Sequence, residues 1–494
     1  METRKHFLSL DIGTTCCKAQ LFDERGDILF YRSEECPLRR IDGESYADLE
    51  RIAQTVKALV REAAKAAPVS SLAFSSFGES FVLLDRQDRL LTLPMLYTDP
   101  RGSRQAQELE ARFGRQKLCR ITGVTPHAMY SVSKLLWLRE NRPKVYESAD
   151  KLLLICDYFG YLFTGKRCID YGLAARTGLF DVRRKEFSSE LLNGLGISPS
   201  LFSQPMPAGS VVGRVQGELA GELGLPADCV LVLGSHDQIC TTLGAGAVKA
   251  GDAADGMGTV ECLTSILDVP PDDPAFAEMG YPLVPYAIEG LYCTYILNST
   301  CGSVVSWLRK SILHDYSGSE SDFFAYMEKR LGAEPADALL LPYFAGASTP
   351  YQDVGARGAF LNLSLQTTDA ELYRAVLEGM AYEIKLNLRT VGAYGITVRE
   401  ATATGGGANS DTWLQIKADV CGIPLRTLRS SEGGLCGCAI LQASALGTAG
   451  STEEAASIFV RQKRVFLPSK APHPDYERNY RRYEKLYTLL KEIN

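Results

Sequence analysis

The sequence predicts an α/β protein of two similarly built lobes facing one cleft, and three observations carry that prediction. The N-terminal stretch reads as strand, hairpin, helix, strand. The segment Ala227–Gly234 is apolar enough for a central parallel strand. Asp11-Ile12-Gly13-Thr14 near the start is echoed by Asp255-Gly256-Met257-Gly258-Thr259 near the middle, and both read as Gly-Thr hairpins between short strands.

Each element has its own signal. Phe7–Leu10 reads as a strand, Asp11–Thr15 as a turn, Cys17–Phe22 as a second strand, and Ile28–Tyr31, after a turn at Asp23–Asp27, as a third. Together they make an antiparallel meander. Leu49, Ile52, Ala53, Val56, Leu59, Val60 and Ala63 recur at three- and four-residue spacing, which is one face of a helix. Pro68 ends that helix, and Val69–Phe74 follows as a buried strand. Asp255–Leu267 reads as strand, glycine turn, strand, and Thr368–Arg389 as a long amphipathic helix. Thr402–Ala408 is a glycine turn leading into a helix through Val420. Asp475–Ile493 is expected to be one charged helix with Tyr480, Tyr483 and Leu486 on one side.

Composition excludes whole classes. The 494 residues are 46% hydrophobic and 23% charged, the mix of a globular protein. A net charge of −6 leaves no electrostatic footprint for duplex DNA or an anionic membrane. The apolar stretch Ala338–Pro342 is far short of the ~20 residues a bilayer needs. Met1–His6 is charged and runs into a strand with no signal-peptide core, so a cytoplasmic location is expected. The 14 cysteines are scattered without a CxxC pair and are expected to be reduced apolar fillers, with no His/Cys metal site.

The chemistry-bearing residues cluster at turns. In the first hairpin, glycine lets the backbone approach a ligand, while Thr14, Thr15 and the turn amides suit phosphate oxygens. Asp11 at the strand end suits Mg²⁺, and Lys18 adds a positive charge. Gly258 and Thr259 repeat that chemistry, although either turn alone also reads as an ordinary β-turn. Thr404-Gly405-Gly406-Gly407-Ala408 precedes a helix, where a planar ring or a sugar can lie against bare backbone and a helix N-terminus favours phosphate. Gly160–Lys166 has phosphate-loop spacing, but Arg167 stands where Ser or Thr would hold Mg²⁺, so it reads as structural. Asp237, in Gly234-Ser235-His236-Asp237-Gln238, sits at the C-terminal end of a central strand and can accept a proton from a hydroxyl. His236 reads as an ordinary polar residue.

In these residues the chain resembles the FGGY family of carbohydrate kinases over nearly its whole length. Met129–Asn141 fits the family's first signature. Gly358–Glu378 fits the second, with Asn362 in place of the usual glycine. Asp157-Tyr158 with Leu162–Gly165 and Asp170 resembles the DY…LTG…D segment. Ser348-Thr349-Pro350 with Asp353 and Arg357-Gly358 resembles TPxxDxxxRG, and Thr404–Ala408 with Trp413, Gln415 and Ala418-Asp419 the adenine-site helix.

The resemblance implies the two-lobed actin/hexokinase-like (ribonuclease H-like) ATPase fold with an interlobe cleft. The first lobe is expected at 1–247 and the second at 248–494, with the C-terminal helix packing back on the first. It implies transfer of a phosphoryl group from ATP, with Mg²⁺, to a hydroxyl of a small sugar or polyol, foremost a ketopentose such as xylulose or ribulose. Asp237 matches the catalytic base, and Asp11 with Asp237 the metal side. Thr14, Thr15, Lys18, Gly258 and Thr259 match the phosphate side. Gly406, Gly407 and Ala408 match the adenosine site, with Asp411 near the position that closes over adenine.

Ser75–Glu79 aligns with the sugar-binding segment, where xylulose kinases of the family carry Met-His and glycerol kinases Arg-Glu. Phe77, Gly78 and Glu79 stand there, and Gly78 is expected to leave the pocket roomier. Tyr97–Arg101 stands where Trp-x-Asp-x-Arg is typical, which brings Asp99 to the sugar. Nucleic acid and membrane are not expected partners, and the resemblance allows a homodimer. The alternative from another class is an actin-like ATPase driving assembly or partner binding. The constellation of Glu79, Asp99 and Asp237, which a filament does not require, separates the two. Retention of Asp11, Asp237 and the glycine turns argues against a sensor without turnover.

Overall fold

The computed structural model describes residues 4–493 apart from 37, 42–43, 314–315, 317, 319 and 472. Its frame is two mixed sheets. In the first, β1 (His6–Ile12), β2 (Cys16–Asp23) and β3 (Ile28–Glu35) form the antiparallel meander, each a little longer than its sequence signal. α1 (Leu49–Ala66) follows, its N-terminus capped by Asp48, whose carboxylate accepts from the Arg51 N–H at 3.2 Å. The face it buries is the one the spacing marks: Leu49, Ile52, Val56, Leu59, Val60 and Ala63. β4 (Ser71–Ser76) returns parallel to β1, with Phe7 opposite Ser71 and Ile12 opposite Ser76. β5 (Val211–Arg214) and β6 (Val230–Val232) complete the order β5-β6-β4-β1-β2-β3. α2 (Asp237–Gly244) leaves the C-terminal end of β6.

The second sheet repeats the first. β7 (Asp252–Met257), β8 (Glu261–Leu267) and β9 (Tyr292–Asn298) form another antiparallel meander. After α3 (Asp369–Gly392), β10 (Glu400–Thr404) lies parallel to β7. α4 (Asp411–Cys421) leads to β11 (Leu425–Leu428), parallel to β10. After α5 (Gly433–Ala445), β12 (Gln462–Phe466) closes the edge antiparallel to β11. The order β9-β8-β7-β10-β11-β12 is that of the first sheet with every neighbour and direction preserved, and Val284–Pro285 adds an edge strand beyond β9. The Gly-Thr echo therefore marks a repeat of spatial arrangement with one change of connection, since β5 precedes β6 in the chain whereas its counterpart β12 follows β11, and the two hairpins occupy equivalent places.

α5 joins the halves. It follows β11 of the second sheet yet packs on β1, β4 and α2 of the first half. Small residues permit the close crossing: a Cβ at Gly437 would fall 2.0 Å from the Cys240 carbonyl oxygen, and one at Gly244 1.9 Å from that of Gly433. Gln442 of α5 accepts from the Ser71 hydroxyl at 2.8 Å and donates to the Leu8 carbonyl at 3.3 Å.

Two expectations are corrected at the C-terminus. The charged segment is two helices, α6 (Pro474–Tyr483) and α7 (Leu486–Lys491), broken at Glu484-Lys485. They pack on the second half, not the first: α6 lies against α3 and the strand Leu339–Leu341. Tyr487 stacks on Tyr351 at 3.7 Å and donates to Asp353 at 2.9 Å. Polar anchors explain the choice. Tyr483 donates to the buried Glu383, and Tyr476 accepts from Arg374 at 3.0 Å.

Gly160–Lys166 lies in the helix Ile155–Thr164 and its left-handed glycine cap, with Lys166 donating to the Val212 carbonyl at 2.8 Å, which gives it a structural place. Asn362, in the position of a usual glycine, has φ 61°, a conformation Asn tolerates. No disulfide joins the 14 cysteines. Among the described residues no helix is long and apolar enough to cross a membrane.

Candidate active site

Asp237 opens α2 where β6 ends, and the adjoining His236 bridges to Ser76 at the end of β4. Two parallel strand ends thus bring the 75–79 loop and the Asp237 turn together. The Gln238 N–H donates to Asp237 Oδ1 at 2.6 Å, and His236 Nε2 lies 3.2 Å from the same oxygen. Burial, then the carboxylates of Asp11 and Glu79, push the Asp237 carboxyl up to about 7. Burial and the Arg176 charge hold His236 well below its usual value, so the ring is neutral. The tautomer that satisfies both contacts has Nε2–H donating to Asp237 and Nδ1 accepting from the Tyr295 hydroxyl at 3.4 Å. Tyr295 belongs to β9, so the imidazole beside Asp237 is reached from the second half.

Of the residues expected at the sugar, Phe77 is buried, and Glu79 is buried in a left-handed turn with φ 61°. Glu79 is gripped by Arg176, whose Nε donates to Oε1 at 2.6 Å and whose Nη2 also donates there. Arg176 lies over the rings of Tyr130 at 5.2 Å and Tyr295 at 5.9 Å. These three residues help line a cavity of about 270 Å³ walled by both halves. The expected extra room at Gly78 is not there: a Cβ would meet His236 Cδ2 at 3.0 Å and Arg176 Cγ at 3.2 Å. The missing side chain lets those two groups close in. Tyr97 stands in the field of both Asp237 and Glu79, and with burial that raises its hydroxyl above the usual value. Asp99 is turned elsewhere. Both its oxygens accept from Arg101 Nε, at 2.9 and 3.0 Å, and Lys134 Nζ donates to its carbonyl at 3.2 Å.

Of the residues expected at the nucleotide, Asp11 lies at the end of β1. Burial raises its carboxyl, against the nearby Ser75 hydroxyl and the charge of Lys18. Thr14 and Thr15 form the hairpin turn, closed by the Gly13 N–H donating to Cys16 at 2.9 Å. Lys18 is held by Glu432, just before α5, with Nζ–Oε2 2.8 Å. In the second hairpin Gly258 and Thr259 are exposed at the turn, and their carbonyls accept from Gly302 and Cys301. Gly405, Ala408 and Asn409, but not Gly406 or Gly407, help line a cavity of about 260 Å³ with Thr427, Arg429, Lys463 and Arg464. Ala408 lines it directly. Asp411 stands outside it, paired with Arg464.

Gly406 and Gly407 differ. A Cβ at Gly407 would meet Met257 Cβ at 2.8 Å and Trp413 at 3.1 Å, whereas one at Gly406 would meet nothing within 4 Å. A branched side chain at 407 would therefore strain the loop, and the substitution that probes open ligand space is Gly406→Val. That variant is expected to fold with a normal melting temperature and to bind ATP about tenfold or more weakly. Titration calorimetry beside a melting curve checks it, and unchanged ATP affinity would place the nucleotide elsewhere.

Sequence reasoning missed Arg176, Tyr295 and Glu432. A signal existed for the first: one arginine within Leu173–Phe180, an otherwise apolar and small-residue run, requires a buried carboxylate partner. For Mg²⁺ the donors on offer are Asp11 and Asp237. Two half-buried carboxyls, both raised, with the charge of Asp11 adding to the raise at Asp237, are a set that a divalent cation would relieve. Among the described residues no three metal-ligating side chains converge, so water and phosphate oxygens would supply the other ligands.

Comparison with known proteins agrees with this geometry. The N-terminal domain of the FGGY family of carbohydrate kinases matches residues 6–244 and its C-terminal domain residues 257–446. A xylulose kinase from Staphylococcus epidermidis is 27% identical over 492 residues, 98% of this chain and 97% of that protein. A gluconokinase from Bacillus subtilis is 27% identical over 510 residues, 99% of this chain and 96% of that protein. The crystal structure of xylulose kinase from Rhodospirillum rubrum superposes with a TM-score of 0.92 at 25% identity, covering 99% of both chains.

Proposed function

Since the chain belongs to the FGGY family of carbohydrate kinases and is an ATP-dependent sugar phosphotransferase, we propose that its acceptor is a neutral ketose, foremost a ketopentose such as xylulose or ribulose. The observation that carries this reading is the charge of the acceptor side. The charges of Asp11 and Glu79 both bear on Asp237 there, and the nearby Arg176 is already neutralised by Glu79. An acceptor bearing its own carboxylate, such as gluconate, would be repelled, while hydroxyls find acceptors. Xylulose kinases and gluconokinases stand among the relatives at the same 27% identity, so the charge of the acceptor side decides between them.

In this reading the half up to about residue 247 holds the sugar and base, and the remainder holds most of the nucleotide. Tyr97, Glu79 and the Arg176 cavity orient the acceptor. Asp237, fixed by the Gln238 amide and His236, takes the proton of the attacking hydroxyl. The amides and hydroxyls at Thr14, Thr15, Gly258 and Thr259, with Lys18, bind phosphate oxygens as charge shifts between them. Mg²⁺ beside Asp11 and Asp237 would supply charge neutralisation. Closing of the halves over the sugar excludes water, the competing acceptor. Cytoplasmic residence fits ATP as donor and the unbridged cysteines.

The base carries a pH signature. A carboxyl raised to about 7 is protonated, and so unable to accept, below that pH. The kcat/KM for sugar is expected to rise about tenfold per pH unit below 7 and to level above it. A profile flat from pH 5 to 8 would remove Asp237 from the role. The acceptor itself is tested by kcat/KM for xylulose, ribulose and gluconate under one set of conditions. The ketopentoses should lead, and a higher value for gluconate would overturn the proposal.

A further inference from the structure

Lys417 lies in the core of the second half, where its ammonium donates to Asp255 Oδ2 and Glu261 Oε1. The three side chains are 1%, 1% and 0% exposed. One cation faces two carboxylates, and Asp255 Oδ1 and Glu261 Oε2 have no hydrogen-bond partner. Buried ion clusters seldom stabilise a fold relative to apolar residues of the same volume, and unpartnered buried oxygens make that balance worse. What such a cluster does supply is a fixed register between the elements it joins.

The elements joined here are specific. Asp255 is on β7 and Glu261 on β8, on either side of the turn carrying Gly258 and Thr259. Lys417 is on α4, one helical turn after Trp413, and α4 is entered from the Gly405–Asn409 loop. That loop also touches the hairpin: a Cβ at Gly405 would fall 2.7 Å from the Met257 carbonyl oxygen. A single ammonium thus ties the phosphate-side hairpin to the adenosine-side helix.

We propose that Lys417, Asp255 and Glu261 form a positioning clamp that sets the spacing between adenosine loop and phosphate hairpin, and through it the affinity for a whole nucleoside triphosphate. The clamp rests on the nucleotide reading of those two loops. Its side chains are at most 1% exposed, so they act through the loops they join and not by contact with a ligand. Its loss should therefore weaken a ligand that must reach both loops and spare a ligand that reaches only one.

The test is the triple variant Lys417→Met/Asp255→Asn/Glu261→Gln, which removes all three charges together and leaves no bare ion. Calorimetric titrations with ATP, adenosine and tripolyphosphate are run on it and on the wild-type protein, beside melting curves and the sugar KM. ATP should bind about tenfold or more weakly. Adenosine, tripolyphosphate and the sugar KM should stay within about twofold. Equal weakening of all three ligands would indicate general loosening and overturn the clamp, as would unchanged ATP affinity. Should the triple variant not fold, Glu261→Gln, which keeps a one-to-one Lys417–Asp255 pair, decides on the same readout: ATP-selective weakening supports the clamp, and its absence overturns it. Lack of saturable ATP binding in the wild-type protein would overturn the nucleotide-site reading itself, and the clamp with it.

Discussion

Asp237→Asn should lower kcat by about 10²–10⁴-fold, the usual contribution of a positioned general base. Asparagine keeps the size and shape of the side chain, and its Oδ1 can still accept from the Gln238 amide and from His236. What it cannot do is take a proton from the sugar hydroxyl. The cavity at Gly405–Asn409 lies in the other half of the molecule, so ATP affinity should stay within a few-fold of normal. Steady-state kinetics with both substrates varied, together with direct ATP titration, separate the two quantities. Near-normal turnover would mean that another group accepts the proton.

Arg176→Met should cost about 3–5 kcal/mol of stability, because it leaves the Glu79 carboxylate buried and unpaired. The effect appears as a fall in melting temperature. Glu79→Ala has a different balance: it strands Arg176 and removes an acceptor for sugar hydroxyls. A carboxylate–hydroxyl hydrogen bond contributes about 1.5–3 kcal/mol, so sugar kcat/KM should fall roughly ten- to a hundredfold. Glu79→Gln should lose less. The double variant Arg176→Met/Glu79→Gln distinguishes bracing from binding. It should recover much of the stability that Arg176→Met loses, since no bare charge is left, but not sugar use. Recovery of a normal sugar KM along with stability would make Glu79 a structural residue.

The fold was legible where one element carries its own signal. The meander, the α1 face and the Gly-Thr hairpins depend on local periodicity and turn chemistry, and the hairpin echo reaches as far as the repeat of six strands in the same spatial arrangement, though not to the swapped connection of β5 and β6. What stayed hidden are partners far apart in sequence. The apolar, small-residue composition of Leu173–Phe180 is a sign of burial, but only the tertiary fold brings Arg176 to Glu79 and fills the space beside Gly78 with His236. The C-terminal helices were placed on the wrong half because their destination depends on Glu383, Arg374 and Asp353, polar anchors that helical spacing does not reveal. Asp99 shows the same limit at short range. Arg101 stands two residues on in the sequence, yet only the structure shows both carboxylate oxygens turned to it.

The most direct measurement is ATP consumption by dilute, monodisperse protein with and without a ketopentose, with ADP and sugar phosphate counted together. Transfer to an oriented hydroxyl with Asp237 as base gives turnover that depends on the sugar, one ADP for each sugar phosphate, and little ATP loss without acceptor. ATP turnover that ignores the sugar and rises with self-assembly of the protein would contradict it.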